Sequence, residues 1–213
     1  MEYIADSGII MEQPETAYHF SSDAVALGSF VRCKKTDTVI DVGCGTGVLT
    51  LLIAANMSPR QIIAVDINED AVAQVKKNIT LNETKLSTEF TVLAADAKEL
   101  HTKIGANTAD VIVCNPPYFT TGKKPLNPNK LAARHDGTLS LNDLAASATK
   151  LLKYGGMIYF CYPANNTAKA ITIFESNNFR VKEIKFISNE KGVYLALFKC
   201  KKGGGHSTVV TLA

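Results

Sequence analysis

The chain has no tryptophan and only four histidines, and no apolar run approaches the roughly 20 residues that a membrane-spanning helix needs. His19, His101, His135 and His206 show no ligand spacing, so no metal site is expected. The cysteines Cys33, Cys44, Cys114, Cys161 and Cys200 are odd in number, irregularly spaced and free of any CxxC pair, which supports neither a disulfide framework nor a zinc site. Three of them fall in or beside apolar runs, where a free thiol packs as a small hydrophobe. Glu2 and Asp6 stand where a secretion leader would be basic and then apolar, so the expectation is a cytoplasmic protein without a membrane partner. Pro/Ser-rich linkers, charge-rich linkers and internal repeats are also missing. That predicts one domain over residues 1–202, with 1–31 as a flank or lid and the glycine-led stretch 203–213 as a flexible tail.

What is present suits a globular core: 46% of residues are hydrophobic and 20% charged. The net charge of +3 permits a polyanionic partner without demanding one, because local clustering decides phosphate binding. From residue 38 the pattern repeats as strand, turn and helix. Val39, Ile40, Asp41 and Val42 run into Gly43, Gly45 and Gly47, and a buried helix follows from Val48 until Ser58 and Pro59 stop it. A second strand over 62–65 precedes Asn68, which is placed to cap a helix with Glu69 and Asp70 in its first turn. Strands are predicted over 91–94 and 111–113. Ser140 with Asp143 then opens a helix, which Gly155 and Gly156 are expected to close. A strand over 157–161, a helix over 167–174 and two closely spaced strands over 181–187 and 193–200 complete the pattern. Upstream, a helix is expected over 23–31. Alternating strands and helices predict an α/β, three-layer, Rossmann-like fold: a mainly parallel sheet with helices on both faces, ending in an antiparallel hairpin.

The glycine turn carries the first chemistry. Glycines let a ligand approach the backbone closely. Asp41-x-Gly43-x-Gly45-x-Gly47 brings its third glycine one residue earlier than the dinucleotide GxGxxG and sets an acid before the first. A ligand with an ammonium and no phosphate fits this better than NAD does, and S-adenosyl-L-methionine is such a ligand. Asp41 would attract its amino group and the glycine amides its carboxylate. Asp66, at the end of the second strand, can accept both ribose hydroxyls. Asp96 can accept from the adenine amine while the Ala97 amide donates to a ring nitrogen, and Ile67 can cover a ring face. Cys44 reads as a small turn residue whose backbone matters, since no neighbouring base would activate its thiol.

This turn, followed by Asn115-Pro116-Pro117-Tyr118 at the end of the fourth strand, resembles the class I amino-methyltransferases that carry an NPPY motif. Phe20-Ser21-Ser22-Asp23-Ala24 upstream, Arg134-His135 downstream and the overall length are most similar to the bacterial valine-tRNA (adenine-37-N6)-methyltransferase family. The resemblance implies a seven-stranded sheet with an antiparallel last strand, S-adenosyl-L-methionine as cofactor with S-adenosyl-L-homocysteine as product, and tRNA as partner.

The motif answers a chemical need. The lone pair of an adenine amine is delocalised into the ring, and localising it takes acceptors for both amine hydrogens. The Asn115 side-chain oxygen and the Pro116 carbonyl would be those acceptors, allowing in-line attack on the methyl and stabilising the charge that develops on nitrogen. Pro116 and Pro117 restrict the backbone, Tyr118 would stack on the base, and Asn115 also borders the cofactor. Lys123, Lys124, Lys130 and Arg134 follow in a stretch without acids, suited to RNA phosphates. The motif does not separate planar nitrogens, so a release-factor glutamine amide, ribosomal RNA guanine or DNA adenine stays open as the acceptor. So does a non-catalytic module that binds RNA and the cofactor.

Overall fold

The computed structural model describes residues 2–4, 7–12, 22–116, 139–205 and 207–213. Near the N-terminus, β1 (Glu2–Ile4) pairs antiparallel with β2 (Ile9–Met11), and α1 (Ser22–Phe30) follows. Then come β3 (Thr38–Val42), α2 (Val48–Met57), β4 (Gln61–Asp66), α3 (Glu69–Thr80), β5 (Glu89–Ala94), the short α4 (Leu100–Ile104) and β6 (Ala109–Cys114). The remaining elements are α5 (Leu141–Leu151), β7 (Leu152–Pro163), α6 (Thr167–Ser176), β8 (Phe179–Asn189), β9 (Gly192–Lys202) and β10 (Val209–Leu212). The main sheet runs β10-β8-β9-β7-β6-β3-β4-β5. Strands β3 to β7 are mutually parallel, while β9 is antiparallel to both β7 and β8.

Strand periodicity sorts the core. Val39, Val113 and Tyr159 face one side and pack with Leu27 of α1 and Leu51 of α2. Their neighbours Ile40, Ile112 and Phe160 face the other side, with Leu144 of α5 and Phe174 of α6. There Phe160 is stacked between Phe174 and Phe198, with ring centroids 4.3 and 4.8 Å away. All five residues of β3 are buried, as expected of a central parallel strand covered on both faces. No helix of the described residues is long and apolar enough to cross a membrane.

The expected caps are in place. The Asn68 side chain accepts from the Asp70 amide at 2.8 Å. Ser140 and Asp143 form a reciprocal capping box, Ser140 Oγ accepting from Asp143 N and Asp143 Oδ2 from Ser140 N, both at 3.1 Å. Replacing Ser140 by Ala should therefore cost about 1 kcal/mol of stability in chemical denaturation, whereas Ser140→Thr, which keeps the acceptor, should cost much less.

Three features differ from the sequence expectation. Helix α5 ends at Leu151, and Gly155 and Gly156 lie inside β7. Gly155 has φ 81°, and a Cβ on Gly156 would come within 3.0 Å of the Asp110 and Lys153 carbonyl oxygens, so the pair serves an irregularity against β6 rather than a helix stop. Among the described residues the main sheet has eight strands instead of seven. The extra one, β10, lies in the stretch expected to be a flexible tail: Val209, Val210 and Thr211 are β-branched, and the strand pairs parallel with β8. The β1–β2 pair is the third, packed into the core through Ile9 and Met11.

Candidate cofactor and acceptor site

The parallel strands β3, β4, β5 and β6 end along one edge of the sheet, where open α/β sheets bind ligands. Beyond β3, Gly43, Gly45 and Gly47 have φ of 70, 53 and 91°, conformations that favour glycine. A Cβ at Gly43 or Gly45 would meet nothing within 4 Å, so the turn leaves open space beside it. Gly47 is different: a Cβ there would lie 3.3 Å from the Val75 methyls, which brings α3 tightly against the turn.

The turn's amides are already engaged. Gly43 N and Cys44 N both donate to Val65 O, at 2.8 and 3.0 Å, and Gly47 N donates to Cys44 O at 2.8 Å. Gly45 N donates to Asp66 Oδ2 at 2.9 Å. A ligand carboxylate would have to displace these acceptors, so amide donation, the role expected for the glycines, does not fit this arrangement. Their contribution is the left-handed backbone and the space it leaves.

Asp41 is fully buried. Its Oδ2 accepts from Thr50 Oγ1 at 2.6 Å, and its Oδ1 has no hydrogen-bond partner among the described residues. Burial pushes the carboxyl up to about 7; the Thr50 bonds oppose this and the Asp66 charge adds to it. The Cys44 thiol is raised far above its ordinary range by burial and then by Asp41 and Asp66, which leaves it a turn residue and no nucleophile.

One cavity of about 200 Å³ gathers most of the remaining candidates: Gly43, Asp66, Ile67, Asp96, Ala97, Asn115 and Pro116 line it, together with Leu139. Asp41, Cys44, Gly45 and Gly47 stand outside that lining. Asp66 Oδ1 accepts from Asn68 N at 2.9 Å, and with Gly45 N on Oδ2 the carboxylate retains acceptor capacity for two hydroxyls. Ile67 is 54% exposed, an apolar side chain at the cavity mouth. Asp96 Oδ1 accepts from Lys98 N at 2.9 Å, and Oδ2 lies 3.3 Å from Lys98 Nζ. Pro117, Tyr118, Lys123, Lys124, Lys130 and Arg134 lie outside the described residues.

The sequence reading missed two partners. The Cys161 thiol of β7 donates to Asn115 Oδ1 at 3.0 Å, and Thr50 holds Asp41. Thr50, a polar residue within the buried, apolar first two turns of α2, carried a signal of its role. Cys161 carried none, because a cysteine in an apolar strand reads as core.

The parallel sheet, the open glycine turn and the acids at successive strand ends define a Rossmann-like methyltransferase fold. A solved structure from Agrobacterium tumefaciens, described as a "predicted O-methyltransferase", shares it with a TM-score of 0.69 at 19% identity, covering 89% of this chain and 84% of that one. Residues 33–201 match the methyltransferase domain family. The tRNA1(Val) (adenine(37)-N6)-methyltransferase of Vibrio campbellii is 28% identical over 190 residues, 88% of this chain and 77% of the relative. Its counterpart in Shewanella frigidimarina is 32% identical over 174 residues, 80% of this chain and 69% of the relative. The chain belongs to the methyltransferase family that these tRNA1(Val) (adenine(37)-N6)-methyltransferases represent.

Proposed function

We propose that this protein transfers a methyl group from S-adenosyl-L-methionine to the N6 amine of an adenine in tRNA, in the cytoplasm. The observation that carries the reading is the meeting of Asn115 and Pro116 with Asp66, Asp96 and Ala97 around one cavity. The residues fit the cofactor: the buried Asp41 Oδ1 lacks a hydrogen-bond partner among the described residues, and the turn at Gly43 and Gly45 is open. When bound, the cofactor supplies an electrophilic sulfonium methyl.

Asp41 faces the amino-acid end, Asp66 accepts the ribose hydroxyls, and Asp96 with the Ala97 amide reads the adenine while Ile67 covers its face. Asn115 Oδ1, already holding the Cys161 thiol on one lone pair, and the Pro116 carbonyl accept the two hydrogens of the substrate amine. This localises the nitrogen lone pair and stabilises the positive charge that grows there. The methylated nitrogen is strongly acidic and releases its proton to solvent without a dedicated base. Tyr118 stacks on the target base, and Lys123, Lys124, Lys130 and Arg134 hold flanking phosphates.

Asp41 gives cofactor binding a pH dependence that tests its role. A carboxyl raised from 3.8 to about 7 in the folded protein contributes stability that is fully present below pH 4 and lost as pH rises through 7. Pairing with the ligand ammonium requires the carboxylate, so binding releases a proton below pH 7. Affinity for S-adenosylhomocysteine should rise about fivefold to tenfold between pH 6 and 7.5, then fall at alkaline pH as the ligand amine loses its proton. Calorimetry in buffers of different ionisation enthalpy reads the proton directly. An unchanged affinity and no proton release, or the same profile in Asp41→Asn, would remove Asp41 from the site.

A further inference from the structure

Two fully buried asparagines, Asn78 of α3 and Asn82 in the turn just beyond its end, stand in for a strand beside β2. Asn82 Oδ1 accepts from Ile10 N at 3.0 Å and its Nδ2 donates to Ile10 O at 2.7 Å. Asn78 repeats the pattern on Glu12, its Oδ1 accepting from the amide at 2.9 Å and its Nδ2 donating to the carbonyl at 3.1 Å. The spacing is similar on both sides: four residues at helical rise, the last two in the turn that continues α3, advance about 6 Å, and two residues of strand about 6.7 Å. Glu12 is gripped twice more, by Gln74 Nε2 on its carbonyl at 2.7 Å and by Lys77 Nζ on its carboxylate at 2.6 Å.

The second amide hydrogen of Asn78 goes elsewhere. It reaches the Thr46 carbonyl at 2.9 Å, between Gly45 and Gly47. One side chain therefore joins the N-terminal strand to the glycine turn, three residues along the helix from the Val75 contact with Gly47. With β2 undocked, Asn78 loses both Glu12 partners and is held only by Gln74 Nε2, 3.4 Å from its Oδ1, and by the Thr46 carbonyl, so the amide is free to turn toward water or other partners. Reorientation would release Thr46.

We propose that Asn78 is a positioning residue that couples docking of residues 9–12 to the shape of the glycine turn, so that cofactor affinity depends on the N-terminal strand being docked. This rests on reading the turn as the cofactor cradle. Coupling of this kind is reciprocal: a ligand on the turn must also tighten the strand. Ligand raises the global stability of any native state that binds it, so the coupling is read as slowing at Ile10 and Glu12 through local opening, at amides that exchange faster than global unfolding allows.

Hydrogen exchange and calorimetry with S-adenosylhomocysteine on the full chain test it. In the wild type, saturating ligand should slow exchange at the Ile10 and Glu12 amides. Asn82→Ala, which frees Ile10 and leaves the Thr46 contact in place, should weaken binding about fivefold, and Asn78→Ala should weaken it further. The proposal is overturned if the wild type binds the ligand with exchange at Ile10 and Glu12 unchanged, or if Asn82→Ala binds as tightly as the wild type. Should a variant fail to fold, the wild-type exchange comparison decides alone. Failure of the wild type to bind the ligand at all would overturn the cofactor reading and this proposal together, which separates that outcome from binding without coupling.

Discussion

Asn115→Ala should slow methyl transfer about a hundredfold or more while S-adenosylhomocysteine affinity stays within about threefold of the wild type. Asn115 follows β6 directly and lines the cavity beside Pro116, and its Oδ1 is oriented by the Cys161 thiol at 3.0 Å. Truncation removes one of the two acceptors assigned to the substrate amine, so the lone pair stays delocalised in the ring and the developing charge loses a preorganised partner. The loss belongs in kcat rather than in cofactor binding, because the amide is assigned to the reacting nitrogen. Single-turnover transfer of labelled methyl, measured beside calorimetry on the same preparation, separates the two. Wild-type turnover in the variant would sink the amine-localising role, and a loss confined to cofactor affinity would reassign Asn115 to the cofactor.

Asp66→Ala should weaken S-adenosylhomocysteine binding by about 1.5–3 kcal/mol, roughly tenfold to a hundredfold. Two effects combine there. The ribose hydroxyls lose the charged acceptor proposed for them, and Gly45 N and Asn68 N, each now bonded to this carboxylate at 2.9 Å, lose theirs. The first of these amides lies in the glycine turn and the second at the cap of α3, so the variant also loosens the cradle. Asp66→Asn retains one carbonyl acceptor and should fall between the wild type and Ala. Equal affinities across the three proteins would take Asp66 out of the site.

Most of the frame was legible because it is written in local rules. Asn68 and Ser140 announce their helices through capping chemistry. The hydrophobic periods separate β3 to β7 from the helices, and the short link from Asn189 to Gly192 gives the hairpin. The strand-end acids were legible for the same reason, since a strand, a turn and a helix fix where the chain must present them.

What stayed hidden depends on contacts between distant segments. Gly155 and Gly156 look like a helix stop until the crowding of Asp110 O and Lys153 O shows why β7 needs them. The glycine amides look free until Val65 O and Asp66 are placed beside them. Asn78 and Asn82 look like solvent-facing polar residues at the end of α3 until β2 lies across them, more than 60 residues away in sequence. The short strand β10 is obscured in the sequence by the glycines that precede it, whose composition outweighs the β-branched Val209 and Val210.

The most direct test of the central claim is nucleoside mass spectrometry on unmodified tRNA incubated with the protein and methyl-labelled S-adenosyl-L-methionine. The label is expected in N6-methyladenosine, and should disappear when Asn115→Ala replaces the wild type. Label on guanosine, in a release-factor glutamine or in DNA adenine with none in tRNA adenosine, or no transfer from a wild type that binds the cofactor, would contradict it.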